Sequence, residues 1–161
     1  MSETNQNRPP ETAGPGRKPT GRLLALDLGL KRVGVAVSDE LGVTARALPP
    51  IIRTSWKRLL VTVAETLKGF DAAGLVIGLP LNMDGTEGPA AKEARRLFRN
   101  FSLSLDLPVY LQDERLTTRE AEEVLRDEGL SEEELTGMID SASAVLILRD
   151  FLSRHVPQTG A

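Results

Sequence analysis

The chain has 161 residues, 40% of them hydrophobic, with a formal net charge of −3, one histidine and no cysteine. That length supports one domain with a sizeable core and is short for two ordinary ones. The composition excludes disulfides, thiolate zinc sites and histidine clusters, so any metal must be held by oxygen ligands; the net charge also argues against a nonspecific nucleic-acid coat, while leaving room for an acidic site with local basic patches.

Residues 1–20 hold four of the ten prolines and almost nothing apolar, the composition of a disordered arm. Residues 155–161 read as a second, C-terminal tail, which leaves one domain over 21–154. No stretch approaches the roughly 20 apolar residues of a membrane span. The start lacks a signal-peptide apolar core, so the expected location is the cytoplasm.

Arg22–Leu28 and Val33–Ser38 have the apolar content of strands, joined through a tight turn beginning at Gly29. Val43–Leu48 is a third strand, expected to stop at Pro49-Pro50. Trp56, Leu59, Leu60, Val63 and Leu67 follow helical spacing, and Gly69 is the expected end of that helix. "GLVIGLP" (74–80) is a nearly continuous apolar run, as in a strand covered on both faces. Pro89 suits the first turn of a helix whose inner face is Ala94, Leu97, Phe98 and Phe101. "PVYLQDE" (108–114) is a further strand. Thr117 with Glu120 forms a capping box for a helix to about Asp127, stopped by Gly129. Ser131 with Glu134 opens the last helical region, which runs to about Arg154. Three meandering strands followed by strand–helix alternation imply an α/β fold: a mixed five-stranded sheet with helices on both faces.

Three acidic positions break this pattern. Asp27 interrupts the first strand near its end, Asp113 and Glu114 close the last strand, and Asp140 begins the most apolar helix, "IDSASAVLIL". Each alone has an ordinary explanation, as a turn former or as a carboxylate near a helix start. Together they suggest a shared site, because ligands of open sheets gather beyond the carboxyl ends of parallel strands. Clustered carboxylates repel one another and would pick up protons unless a cation intervenes. Mg²⁺ or Mn²⁺ removes that cost and can activate water for phosphodiester hydrolysis, a chemistry that needs neither Cys nor His. The small residues Ser141-Ala142-Ser143-Ala144 would let the last helix approach the sheet closely and bring Asp140 towards Asp27.

"LLALDLGLKRVGVAVSD", "VIGLPLNMDGTEGP", "LQDERLTT" and "IDSASAVLIL", in that order, closely resemble the YqgF family, also called RuvX or Holliday junction resolvase-like. The likeness spans Arg22 to about Arg154. It implies an RNase H-like fold with a metal-dependent nuclease site. The implied activity is maturation of the 5′ end of pre-16S ribosomal RNA, resolution of four-way DNA junctions, or both. The family's acidic triad falls on Asp27, Glu114 and Asp140 as metal ligands and catalytic groups. Strand alternation lets only one of Asp113 and Glu114 face the metals, and the family pattern selects Glu114. The turn "DLGLKR" has Leu30 where relatives often carry Thr, which shifts the expected phosphate contacts to Lys31 and Arg32.

The polar loop 80–89 offers Asn82 and Thr86 as substrate contacts. Lys92, Arg95, Arg96 and Arg99 form a basic stripe on the following helix, and Arg115 lies in "DER". Such a stripe is also what a solvated helix face looks like. The partners implied are pre-16S rRNA or branched DNA, with no membrane and with the protein as a monomer or homodimer. Two other functions fit part of the sequence. One is a non-catalytic nucleic-acid or ribosome-assembly protein. The other is a phosphotransferase of the actin-like superfamily, suggested by "DLGLKR" but short of the second domain such enzymes need.

Overall fold

The computed structural model describes residues 20–114 and 132–154, with 132–140 described as helix backbone. The expected tails and the helix expected at Thr117–Asp127 lie outside those residues. The elements are β1 (Leu23–Leu28), β2 (Arg32–Ser38), β3 (Ala45–Ile52), α1 (Trp56–Gly69), β4 (Gly74–Pro80), α2 (Pro89–Ser104), β5 (Val109–Glu114) and α3 (Glu132–Arg154).

The strands form one five-stranded sheet in the order β3-β2-β1-β4-β5. β1, β2 and β3 pair antiparallel, while β4 lies parallel to both β1 and β5. The carboxyl ends of β1, β4 and β5 therefore share one edge of the sheet, together with the β1–β2 turn.

Side-chain alternation assigns each face its helices. Leu24, Leu26, Val35, Leu75, Ile77 and Leu111 join α1 and α2 in one core, through Leu59, Val63, Leu67, Leu97 and Phe101. The expected inner face of α2, namely Ala94, Leu97, Phe98 and Phe101, is buried throughout. Trp56 packs edge-on against Phe101 at 4.8 Å between centroids. On the other face Leu23, Ala25, Ala36, Ala45 and Val76 form a floor for Ala144, Val145, Ile147, Leu148 and Phe151 of α3. Each large side chain buried this way contributes on the order of 1.5–3 kcal/mol.

The bounds of β3 differ from the sequence reading. β3 begins at Ala45 and continues through Pro49-Pro50 to Ile52. Proline is tolerated because β3 is an edge strand, and because the register steps from Val33↔Ile51 to Val35↔Leu48. Two prolines thus oppose one glycine, Gly34, in a bulge that needs fewer ladder donors. α1 ends at Gly69, as expected, and the left-handed residue just beyond it is Asp71, with φ 51°.

α3 approaches the sheet closely at Gly78 and at Ser141. A Cβ at Gly78 would collide with Ile147, so glycine in β4 is what admits that side chain. Ser141, fully buried, reaches further. Its Oγ donates to the Leu48 carbonyl at 2.6 Å and accepts the Val35 N–H at 3.1 Å. A hydroxyl of α3 thereby bridges β2 and β3 beside the bulge.

Removing that hydroxyl leaves two buried backbone groups unpaired, a cost of roughly 1–3 kcal/mol. Ser141→Ala should therefore lower the melting temperature by several degrees in a thermal unfolding scan. An unchanged midpoint would show that the hydroxyl does not anchor the helix.

Candidate active site at the carboxyl edge of the sheet

Asp27 is the penultimate residue of β1, and odd-numbered residues of that strand face α3 along with Leu23 and Ala25. Its cross-strand partner is Gly34, so no side chain of β2 crowds it from that position. On β5 the even residues share the α3 face: Tyr110 packs on Phe151 and Gln112 donates to Asp150 Oδ2 at 2.8 Å. Glu114 continues that face. Asp113 points to the other side, is exposed, and acts electrostatically on Arg95 of α2.

Asp27 and Glu114 line one cavity of about 160 Å³, with Gly78, Pro80, Leu81, Ser143 and Ile147 completing its wall. The Glu114 Oε2 atom is buried, while Asp27 is half-buried. Parallel pairing explains the meeting, since Leu26 of β1 is level with Ile77 and Glu114 of β5 is level with Pro80. The carboxylates thus come from strands on either side of β4, near its end. Asp140 belongs to the helix backbone three residues before Ser143, which is one of the cavity's walls; its side chain lies outside the described residues, as does Arg115. Among the described residues no three acids or histidines gather as a metal cluster.

The two carboxylates form a hard oxygen donor set in a cavity with room for a small cation and a few waters. With no cysteine in the chain, that donor set suits Mg²⁺ or Mn²⁺ rather than a soft metal.

The residues expected to contact substrate fall into groups with different surroundings. Lys31 and Arg32 are exposed in the turn that follows Asp27, beside Leu30, which is 91% exposed. Asn82 and Thr86 hold the β4–α2 loop together. Asn82 Nδ2 donates to Thr86 Oγ1 at 2.9 Å, and the Thr86 hydroxyl and N–H both donate to Asp84 Oδ1. The stripe on α2 is largely compensated. Arg95 makes a bidentate pair with Glu87 at 2.6 and 2.9 Å, and Arg96 makes another with Glu93 at 3.0 and 2.7 Å. Lys92 and Arg99 remain exposed on the same helix.

Arg53 has a role that periodicity and motif spacing did not indicate. Its guanidinium donates to the Gly29 carbonyl at 3.1 Å and to Glu93 at 3.2 Å, tying the turn after Asp27 to α2. A guanidinium can make both bonds at once because its donors diverge in a rigid plane. Glu93, hydrogen-bonded to Arg96 and Arg53, is held well below its ordinary value of 4.5, at about 2. Pairing with Arg95 likewise lowers the carboxyl of Glu87.

The family model described as RuvX: Holliday junction resolvase matches residues 21–154. A protein of Anaeromyxobacter dehalogenans named "Putative pre-16S rRNA nuclease" is 44% identical over 136 residues, covering 84% of this chain and 99% of that relative. One of the same name from Syntrophus aciditrophicus is 44% identical over 131 residues, covering 81% and 87%. Among solved structures, Thermus thermophilus RuvC in complex with a Holliday junction substrate aligns with a TM-score of 0.53 at 18% identity, covering 83% of this chain and 95% of that one. Fowlpox virus resolvase with Holliday junction DNA aligns at 0.54 and 13% identity, covering 82% and 97%. At those identities the likeness establishes the fold, which is that of the RNase H-like resolvases.

The lowered Glu93 carboxyl stabilises the folded chain at pH values above its unfolded range, near 4.5, and that contribution is lost as pH falls through about 2. The stability gap between wild type and Glu93→Gln should therefore be widest above pH 5 and shrink on acidification, as read from urea midpoints. A gap independent of pH would show that the Arg53–Glu93–Arg96 network is not electrostatic in origin.

Proposed function

The chain belongs to the RuvX family, whose model spans residues 21–154, and on that premise we propose that it is a metal-dependent endonuclease acting on structured nucleic acid. Pre-16S rRNA is the substrate favoured by the names of its relatives, and branched DNA is the alternative. The observation that carries this reading is the meeting of Asp27 and Glu114 in one cavity at the carboxyl edge of the sheet. Nothing in the packing of the core requires two carboxylates there, and each costs more to half-bury than an apolar residue would.

Asp27, Glu114 and Asp140 are the residues we assign to hold Mg²⁺ or Mn²⁺. Bound there, such an ion acidifies water and offsets charge on a phosphate, the two needs of phosphodiester hydrolysis. The carboxylates orient whatever they bind because their strands are fixed by β4 between them. Lys31 and Arg32 meet phosphates flanking the scissile bond. Asn82 and Thr86 act by fixing the shape of their loop, since each already bonds the other. Of the α2 cations, Lys92 and Arg99 are the better phosphate contacts, because Arg95 and Arg96 would have to leave bidentate partners. Among the described residues no helix is long and apolar enough to cross a membrane; we place the enzyme in the cytoplasm, as a monomer if the substrate is rRNA and as a homodimer if it is a two-fold junction.

Cleavage of pre-16S RNA, a four-way DNA junction and a single strand should require Mg²⁺ or Mn²⁺ and stop with EDTA. Asp27→Asn should reduce it by about 1000-fold or more, the worth of several kcal/mol at the transition state, while the melting temperature stays within a few degrees. Full activity in Asp27→Asn, or cutting indifferent to EDTA, would overturn the assignment.

A further inference from the structure

The chain is acidic overall, yet from Leu41 to Ala64 it contains Arg46, Arg53, Lys57 and Arg58 and no acidic residue. Three of those four come together at the carboxyl edge of the sheet. β3 ends at Ile52, which pairs with Arg32. The next residue, Arg53, donates its N–H to the Lys31 carbonyl at 2.9 Å, so the turn bearing Lys31 and Arg32 runs beside the segment entering α1. Ser55 caps that helix, accepting the Arg58 N–H at 3.2 Å, and Lys57 and Arg58 occupy its first turn, where there is no acid.

Lys31, Arg32, Lys57 and Arg58 are all exposed. Among the described residues Lys31, Lys57 and Arg58 form no ion pair, whereas Arg95 and Arg96 on α2 are each neutralised by a glutamate. Stability alone favours carboxylates in a first helical turn, so the fold gains nothing from two cations at this position. A ligand bearing several regularly spaced negative charges gains from all of them.

We propose that Lys57 and Arg58 extend the cationic turn at Lys31 and Arg32 into a track for the phosphodiester backbone of the substrate, leading away from the Asp27–Glu114 cavity across the first turn of α1. The inference rests on the nuclease reading above and adds to it the direction in which the nucleic acid leaves the site. Because the contacts are to phosphate, the track serves RNA and DNA alike and carries no base preference.

The test is binding of a fluorescein-labelled four-way DNA junction and of a labelled RNA duplex with a single-stranded flank, followed by anisotropy in EDTA from 50 to 300 mM KCl. The Lys57→Ala/Arg58→Ala variant should bind about tenfold more weakly near 150 mM salt. The slope of log affinity against log salt should fall by about 2, close to 0.9 for each lost duplex phosphate contact. Lys68→Ala, which removes one cation about 16 Å further along the same helix, should match wild type. Lys57→Arg/Arg58→Lys should keep the wild-type slope. A double variant with the affinity and slope of Lys68→Ala would overturn the track alone, leaving the nuclease reading intact. Wild-type protein that binds neither nucleic acid would overturn both.

Discussion

The site depends on how closely α3 can sit upon the sheet. Bulky side chains between a helix and a sheet hold the two layers apart, and polar groups of the two elements then do not meet. Here the floor under the helix is made of Ala25, Ala36 and Ala45, Ala144 faces it from the helix, and Gly78 makes way for Ile147. The Ser141 hydroxyl then bonds both to a donor of β2 and to an acceptor of β3. That bridge fixes the rotation and height of the helix in a way apolar contacts alone would not, because hydrogen bonds are directional and a buried one left unmade is expensive. With α3 so held, Ser143 closes the wall of the cavity containing Asp27 and Glu114.

Charge is distributed with a similar division of labour. The α3 face at the carboxyl edge carries the carboxylates of Asp27 and Glu114, which line one cavity. The opposite face carries carboxylates as well, but there Glu87 and Glu93 are matched by Arg95, Arg96 and Arg53. The pairing removes most of the positive field of α2 and gives the Arg53 guanidinium a fixed position, from which it holds the Gly29 carbonyl. The turn that carries Lys31 and Arg32 is thus braced from α2 even though its cations face solvent. Asp113 and Glu114, adjacent in sequence, belong to these two different electrostatic settings because a strand sends neighbours to opposite faces.

Much of the fold was legible because its signals are local. The helical spacing of Trp56, Leu59, Val63 and Leu67, the proline at the start of α2 and the continuous apolar run of β4 each depend on a few neighbouring residues. The errors came where a partner decides the outcome. Pro49-Pro50 reads as a stop in isolation, and becomes an allowed pair in an edge strand only when Gly34 stands opposite in a bulge. The basic stripe of α2 was visible as spacing, but its neutralisation by Glu87, eight residues from Arg95, was not. Arg53 carried no signal at all, since its importance comes from a carbonyl 24 residues away.

Residue order alone reveals the succession of elements, the alternation that divides apolar residues between two faces, and the acidic residues at strand and helix ends where the core would not choose them. These are properties of residue type and spacing along the chain. The folded arrangement is what makes Asp27 and Glu114 share a cavity, makes Ser141 a bridge rather than merely small, and engages some cations and not others. Those outcomes depend on strand order, register and the distance between layers, and such quantities are set by the simultaneous packing of segments more than a hundred residues apart, as the Val35–Ser141 bond across 106 positions makes plain.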